Sequence, residues 1–155
     1  MAARPAFDLD GHVFFWLTQV TAARDLQLAS ALKDFGVRVP EWRALAALCA
    51  RRRCTMRELA DLAAIDRTTL TRTVDRMEDA GWLARLADGD DMRVTRLSLT
   101  APGEKLFARI WPVVERLNHA AVAGLPAGAV EKLRDTLARI KHNLDEEPAA
   151  SARAA

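Results

Sequence analysis

Cysteine and histidine are scarce in this sequence, and no apolar run is long. Two cysteines in 155 residues are too few for a disulfide scaffold or an all-cysteine zinc site. Cys49 and Cys54 also lack the two-residue gap of a zinc knuckle, so no metal site is expected. The histidines, His12, His119 and His142, are scattered, and no GxSxG, P-loop or HExxH motif occurs. Without convergent acid, base and nucleophile residues an enzyme is not expected, nor is a cofactor. No apolar stretch reaches the roughly 18–20 residues of a membrane span. The segment Met1–Asp10 lacks the apolar core and cleavage site of a secretory signal. The expectation is a cytoplasmic protein with no membrane contact.

Excess charge of one sign is missing too. The sum is +2, from 23 basic and 21 acidic residues, which argues against a histone-like binder. Lysine occurs only at Lys33, Lys105, Lys132 and Lys141, so the other basic residues are all arginine. Arginine suits bidentate contacts to phosphate and guanine, although a GC-rich genome raises arginine and alanine equally well. Half the residues are apolar, enough for a packed core.

The first organised segment runs from about Asp10 to Phe35, with Val13, Trp16, Leu17, Val20, Leu28 and Leu32 at helical spacing and Gly36 as a stop. At ~1.5 Å per residue it is roughly 39 Å long, more than a small core needs, so part of it should pack on another chain. Pro40 suits a first helical turn, and Trp42, Leu45 and Leu48 form the stripe of a second helix closed by Arg51–Arg53. Thr55 and Glu58 make a capping box for a short third helix with Leu59, Leu62 and Ala63 inward. Asp66 caps a fourth helix that runs to about Ala80 and stops at Gly81. Two short helices joined by a tight turn form a helix-turn-helix.

After Gly81 the pattern alternates over Trp82–Leu86 and Arg93–Leu99, with the turn signal Asp88-Gly89 between them. A hairpin in that place is a wing. Thr100 starts a fifth helix to about Ala123, with Leu106, Ile110, Val113, Leu117 and Ala121 as its stripe and a kink expected at Pro112. Pro126 begins a sixth, whose seam Val130, Leu133, Leu137, Ile140 and Leu144 resembles a short coiled coil. The fold class is mainly α with a small β-hairpin wing: a winged helix-turn-helix lobe over about 38–100 and dimerisation helices over about 10–35 and 101–145. Residues 1–145 form one domain, and the tail 146–155 is expected to be disordered.

In the fourth helix, Leu70, Thr73, Val74 and Met77 share the core face. Thr68, Arg72, Asp75 and Asp79 fall opposite, with Thr69, Thr71 and Arg76 on the flanks. Hydroxyls and arginines near a helix N-terminus are what base edges and phosphates require. A plain solvated face has a similar composition, and Asp75 and Asp79 would repel phosphates. The candidate DNA contacts are therefore Arg67, Thr68, Thr69, Thr71 and Arg72, with Arg76 angled toward the backbone.

These residues carry a family resemblance. Glu41-Trp42-Arg43-Ala44-Leu45, Leu59-Ala60, and Thr68-Thr69-Leu70-Thr71-Arg72 through Met77 and Gly81 resemble the MarR family of winged helix-turn-helix regulators. Asp91-Met92-Arg93 followed by Leu99-Thr100 is similar to that family's wing signature. The resemblance covers about residues 10–145. It implies a cytoplasmic homodimer on a pseudo-palindromic double-stranded DNA operator, with the fourth helix in the major groove and the wing, through Arg93, along the minor groove. Met92 stands where the family often has a basic residue, and the tip Asp88–Asp91 is acidic, so Arg85 and Arg96 are alternative backbone contacts. The resemblance further implies a repressor released by a small aromatic or phenolic ligand, in a cleft to which His12, Phe15, Trp16, Trp42 and Trp111 could contribute. The same aromatics could equally be core. The alternative is a thiol-based redox sensor of the same fold, with Cys54 beside Arg51–Arg53 as the exposed thiol.

Overall fold

The computed structural model describes residues 8–87 and 95–146. Its elements are α1 (Val13–Leu32), a 3-10 turn (Lys33–Phe35), α2 (Val39–Arg51), α3 (Met56–Ala63), α4 (Arg67–Asp79), β1 (Leu83–Ala87), β2 (Thr95–Leu99), α5 (Ala101–Ala121) and α6 (Ala129–Glu146). A mainly helical chain with one antiparallel hairpin is the expected fold class. Two compact units divide it, one ending at Leu117 and the other starting at Asn118.

In the first unit, a single core gathers Leu28 and Leu32 of α1, Trp42, Leu45 and Leu48 of α2, Leu59 and Ala63 of α3, and Leu70, Val74 and Met77 of α4. Leu83 and Leu97 of the hairpin and Leu106, Ile110 and Val114 of α5 complete it. Local chemistry fixes where the helices begin. Thr55 and Glu58 form the expected capping box: the Glu58 N–H donates to Thr55 Oγ1 (3.3 Å) and the Thr55 N–H donates to the Glu58 carboxylate (2.7 Å). Asp66 caps α4 by accepting the Thr69 N–H at 2.9 Å. These bonds hold both carboxyls below their usual range, Glu58 mainly through the Thr55 N–H and Asp66 mainly through Thr69.

The hairpin follows α4 directly, in register Leu83↔Leu99 to Ala87↔Thr95. Its base is tied down at three points. The Trp82 N–H donates to the Met77 carbonyl (2.8 Å), the Thr100 N–H to the Trp82 carbonyl (3.1 Å), and the Thr100 hydroxyl to the Gly81 carbonyl (2.6 Å). Gly103 lies so close beneath this corner that a Cβ there would collide with the Trp82 carbonyl oxygen. The expected turn Asp88-Gly89 and the start of the second strand at Arg93 lie outside the described residues.

Several expectations need correction. The first helix starts at Val13, because the Asp8 carboxylate accepts the Gly11 N–H (3.0 Å) and the chain turns before entering it. At 20 residues α1 is roughly 30 Å long. Leu62 is exposed rather than inward, since Leu59 and Ala63 alone fill the i, i+4 seam of so short a helix. In α5 the buried face runs through Gly103, Leu106, Ile110 and Val114, so Val114 replaces Val113. The sixth helix starts at Ala129, not Pro126, because Gly128 (φ +75°) is left-handed and interrupts the turn.

In the second unit, α6 buries no residue, and Val130, Leu133 and Leu144 of its seam are exposed. In α1, Val13, Trp16, Val20 and Leu26 are likewise exposed, although Leu28 and Leu32 are buried. The expected tail beyond residue 146 lies outside the described residues.

Candidate nucleic-acid interface

The fourth helix is held by the face expected of it. Leu70, Thr73, Val74 and Met77 are buried, so the opposite side of α4 is fixed outward. That side presents Arg67, Thr68, Thr71 and Arg72 as exposed side chains, with Thr69 half-buried beside them. The Thr71 hydroxyl donates to the Arg67 carbonyl (2.9 Å), which leaves its lone pairs outward. Thr73 is turned inward, its hydroxyl donating to the Thr69 carbonyl at 2.8 Å. Arginines and hydroxyls thus sit together on the first two turns, at the positive end of the helix dipole. The arrangement can bind an anionic backbone and offer donors to base edges.

The C-terminal half of α4 is occupied differently. Asp75 and Glu78 both engage Arg85 of β1, Asp75 at 2.7 Å. The Asp75 hydrogen bond is the main reason that the Arg85 guanidinium is held still more firmly in its charged form. Arg85 therefore ties the hairpin to α4, which corrects its reading as an alternative DNA contact. Arg96 lies 3.9 Å from the Glu58 carboxylate. Arg76 is half-buried, and its Nη2 forms an ion pair with Glu41 Oε1 of α2 at 3.0 Å. This contact was not legible in the sequence, because Glu41 reads simply as a residue of the first turn of α2. Arg93 lies outside the described residues.

A cleft of about 550 Å³ opens between α1, α2 and α3. Trp42, Ala46, Ala47 and Leu62 give it an apolar lining, and Arg24, Arg43 and Arg51 give it charge. Arg43 is held by Asp25 through two bonds of 2.9 and 2.7 Å. Of the five aromatic candidates, only Trp42 lines this cleft. Trp111 is brought near it indirectly: Trp42 stacks on Phe107 (centroids 5.4 Å apart) and Phe107 stacks on Trp111 (6.0 Å). Phe107 was missed, though its i, i+4 spacing to Trp111 was visible. His12, Phe15 and Trp16 lie together at the start of α1, where Phe15 meets Trp16 edge-on and the Trp16 indole N–H donates to the Asp10 carbonyl (2.6 Å).

The expectation of an exposed Cys54 thiol is overturned. Cys49 is exposed and Cys54 is buried. Cys54 pairs with Leu97 of the hairpin through backbone bonds in both directions (3.2 and 2.8 Å), and its side chain is buried. Burial, more than the nearby Glu58, pushes its thiol up, the opposite of what a reactive thiolate needs. Among the described residues no group of three or more His, Cys, Asp or Glu side chains is placed to hold a metal ion. No helix among them is long and apolar enough to cross a membrane.

Comparison with known proteins points the same way. The MarR family model matches residues 35–93, a span that begins at the end of the 3-10 turn and includes α2, α3, α4 and β1. The chain is 27% identical over 143 residues to the HTH-type transcriptional repressor IacR of Pseudomonas putida, covering 92% of this chain and 86% of that one. It is similar to the crystal structure of NadR in complex with 4-hydroxyphenylacetate (29% identity, TM-score 0.79, 88% of this chain and 97% of that one). It is also similar to CouR from Rhodococcus jostii RHA1 bound to p-coumaroyl-CoA (25% identity, TM-score 0.79, 87% and 95%).

Proposed function

We propose that this chain is a MarR-family transcriptional regulator, a homodimeric repressor released from its operator by a small aromatic acid or phenol. One observation carries the DNA-binding part: the exposed Arg67, Thr68, Thr71 and Arg72 on the outward face of α4. In this reading α4 enters the major groove and its first two turns meet the bases. Arg72 reads guanine, the hydroxyls of Thr68, Thr69 and Thr71 meet bases or backbone, and Arg67 takes phosphate. The wing, through Arg93, follows the adjacent minor groove.

The dimer is supported by apolar surface that its own chain leaves bare. Val13, Trp16 and Val20 on α1, and Val130, Leu133 and Leu144 on α6, are exposed. A second copy is the natural cover for such stripes. Light scattering should return the mass of a dimer at micromolar concentration, and a monomer would refute it. Two copies of α4 one helical turn apart would span about 34 Å, which asks for a pseudo-palindrome.

The ligand part rests on the cleft between α1, α2 and α3. Its size suits a small molecule, its Trp42 face suits a ring, and its arginines suit a carboxylate. The relatives bound to 4-hydroxyphenylacetate and p-coumaroyl-CoA support an aromatic ligand. A panel of benzoate, phenylacetate and cinnamate analogues should raise the melting temperature and release a labelled operator, with both effects lost in Trp42→Ala. Release that survives Trp42→Ala undiminished would move the ligand elsewhere.

A further inference from the structure

We propose that Glu41 is a positioning residue for DNA binding, holding Arg76 beside α4 so that its second guanidinium branch serves a backbone phosphate. The proposal rests on the reading of α4 as the recognition helix.

Glu41 is only 2% exposed, and both of its carboxylate oxygens are used. One accepts the Arg38 backbone N–H at 2.8 Å, closing the first turn of α2. The other forms an ion pair with Arg76 Nη2 of α4 at 3.0 Å. Capping alone does not call for a buried charge, because glutamine caps a first turn as well. Burying a carboxylate carries a desolvation penalty that only a good partner offsets. The charge is explained by the arginine it grips.

Arg76 in turn is only half satisfied. Its Nη1 is buried and has no hydrogen-bond partner among the described residues. A buried, charged donor without an acceptor calls for an explanation. Beside it lies a cleft of about 160 Å³ lined by Arg38, Thr69, Arg72 and Arg76, where Glu41 is the one carboxylate against three guanidinium groups. A phosphate oxygen entering this cleft supplies the missing acceptor once the side chains lining it part to uncover Nη1. The guanidinium is a rigid planar fork, so fixing one branch aims the other, which a lysine could not do. The cleft adjoins the exposed Arg72 on α4, so the phosphate is one of the DNA backbone.

The test titrates labelled palindromic operator and a scrambled duplex at several salt concentrations, following the melting of each protein in parallel. Arg76→Ala should weaken both duplexes about tenfold and flatten the log–log salt slope by about two per dimer. Glu41→Gln should do the same to a lesser degree, and adding it to Arg76→Ala should weaken binding no further. The apolar pair Glu41→Leu with Arg76→Met separates folding from function. It should melt no lower than wild type, yet bind as weakly as Arg76→Ala. Wild-type affinity and slope in Glu41→Gln or in the apolar pair would overturn the role of Glu41. A wild type that binds no DNA would overturn the regulator reading beneath it.

Discussion

The two halves of α4 use arginine for different purposes. In the first two turns Arg67 and Arg72 are exposed, and the hydroxyls of Thr68 and Thr71 share their face. In the last two turns, Asp75 and Glu78 hold Arg85 of the hairpin, while Glu41 of α2 holds Arg76. Every arginine carries a full charge at neutral pH, so charge alone does not tell Arg72 from Arg76. Partners do. One half is left to meet a ligand, and the other is spent on joining α4 to the hairpin and to α2. A chain with a net charge of only +2 depends on such local separation, since its overall field draws DNA weakly.

The largest effect should come from breaking the exposed half. Arg72→Ala is expected to cost roughly 1–3 kcal/mol of operator binding and to relax sequence preference, if Arg72 bridges guanine O6 and N7. Competition with single-base operator variants would detect both changes. Arg85→Ala sharpens the contrast from the other side. Surface ion pairs contribute about 0–1 kcal/mol each, so this variant should melt slightly earlier while its preference among operators stays as in wild type. If Arg85→Ala lost operator discrimination and Arg72→Ala kept it, the two halves would have been assigned the wrong way round.

What could be read from sequence was what short-range chemistry determines. The Thr55–Glu58 box, the Asp66 cap and the buried stripe of Leu70, Thr73, Val74 and Met77 depend on neighbours within one or two turns, and all form as expected. The ion pairs were not legible, because Glu41 meets Arg76 only after α2 and α4 have packed. Cys54 illustrates the same limit. Its neighbours in sequence are arginines, yet its partner in space is Leu97, and the pairing buries it. Aromatic residues misled for a related reason. Trp42 and Trp111 are linked only through Phe107, and a stack of that kind does not follow from spacing on either helix alone.

A smaller effect concerns the cap that starts the exposed half. The Asp66 carboxyl titrates below its unfolded value, because its charged form accepts hydrogen bonds from the Thr69 hydroxyl and from the Thr69 N–H. Its contribution to stability is therefore complete above the unfolded pKa of about 3.9 and disappears as pH falls through the lower folded value. Asp66→Ala should be less stable than wild type at neutral pH, with the gap closing on acidification below about pH 4. Urea melts at neutral and acid pH would reveal this, and a gap that stayed constant would remove Asp66 from the account.

The most direct test of the DNA-binding face is the salt dependence of wild-type binding to a palindromic duplex. Each neutralised phosphate releases condensed counterions, so local arginines leave a steep signature even on a nearly neutral protein. Contact with six to ten phosphates per dimer predicts a log–log slope of roughly −5 to −9. A slope near zero would mean that Arg67, Thr68, Thr71 and Arg72 form only a solvated surface, and would contradict the assignment of α4 to DNA.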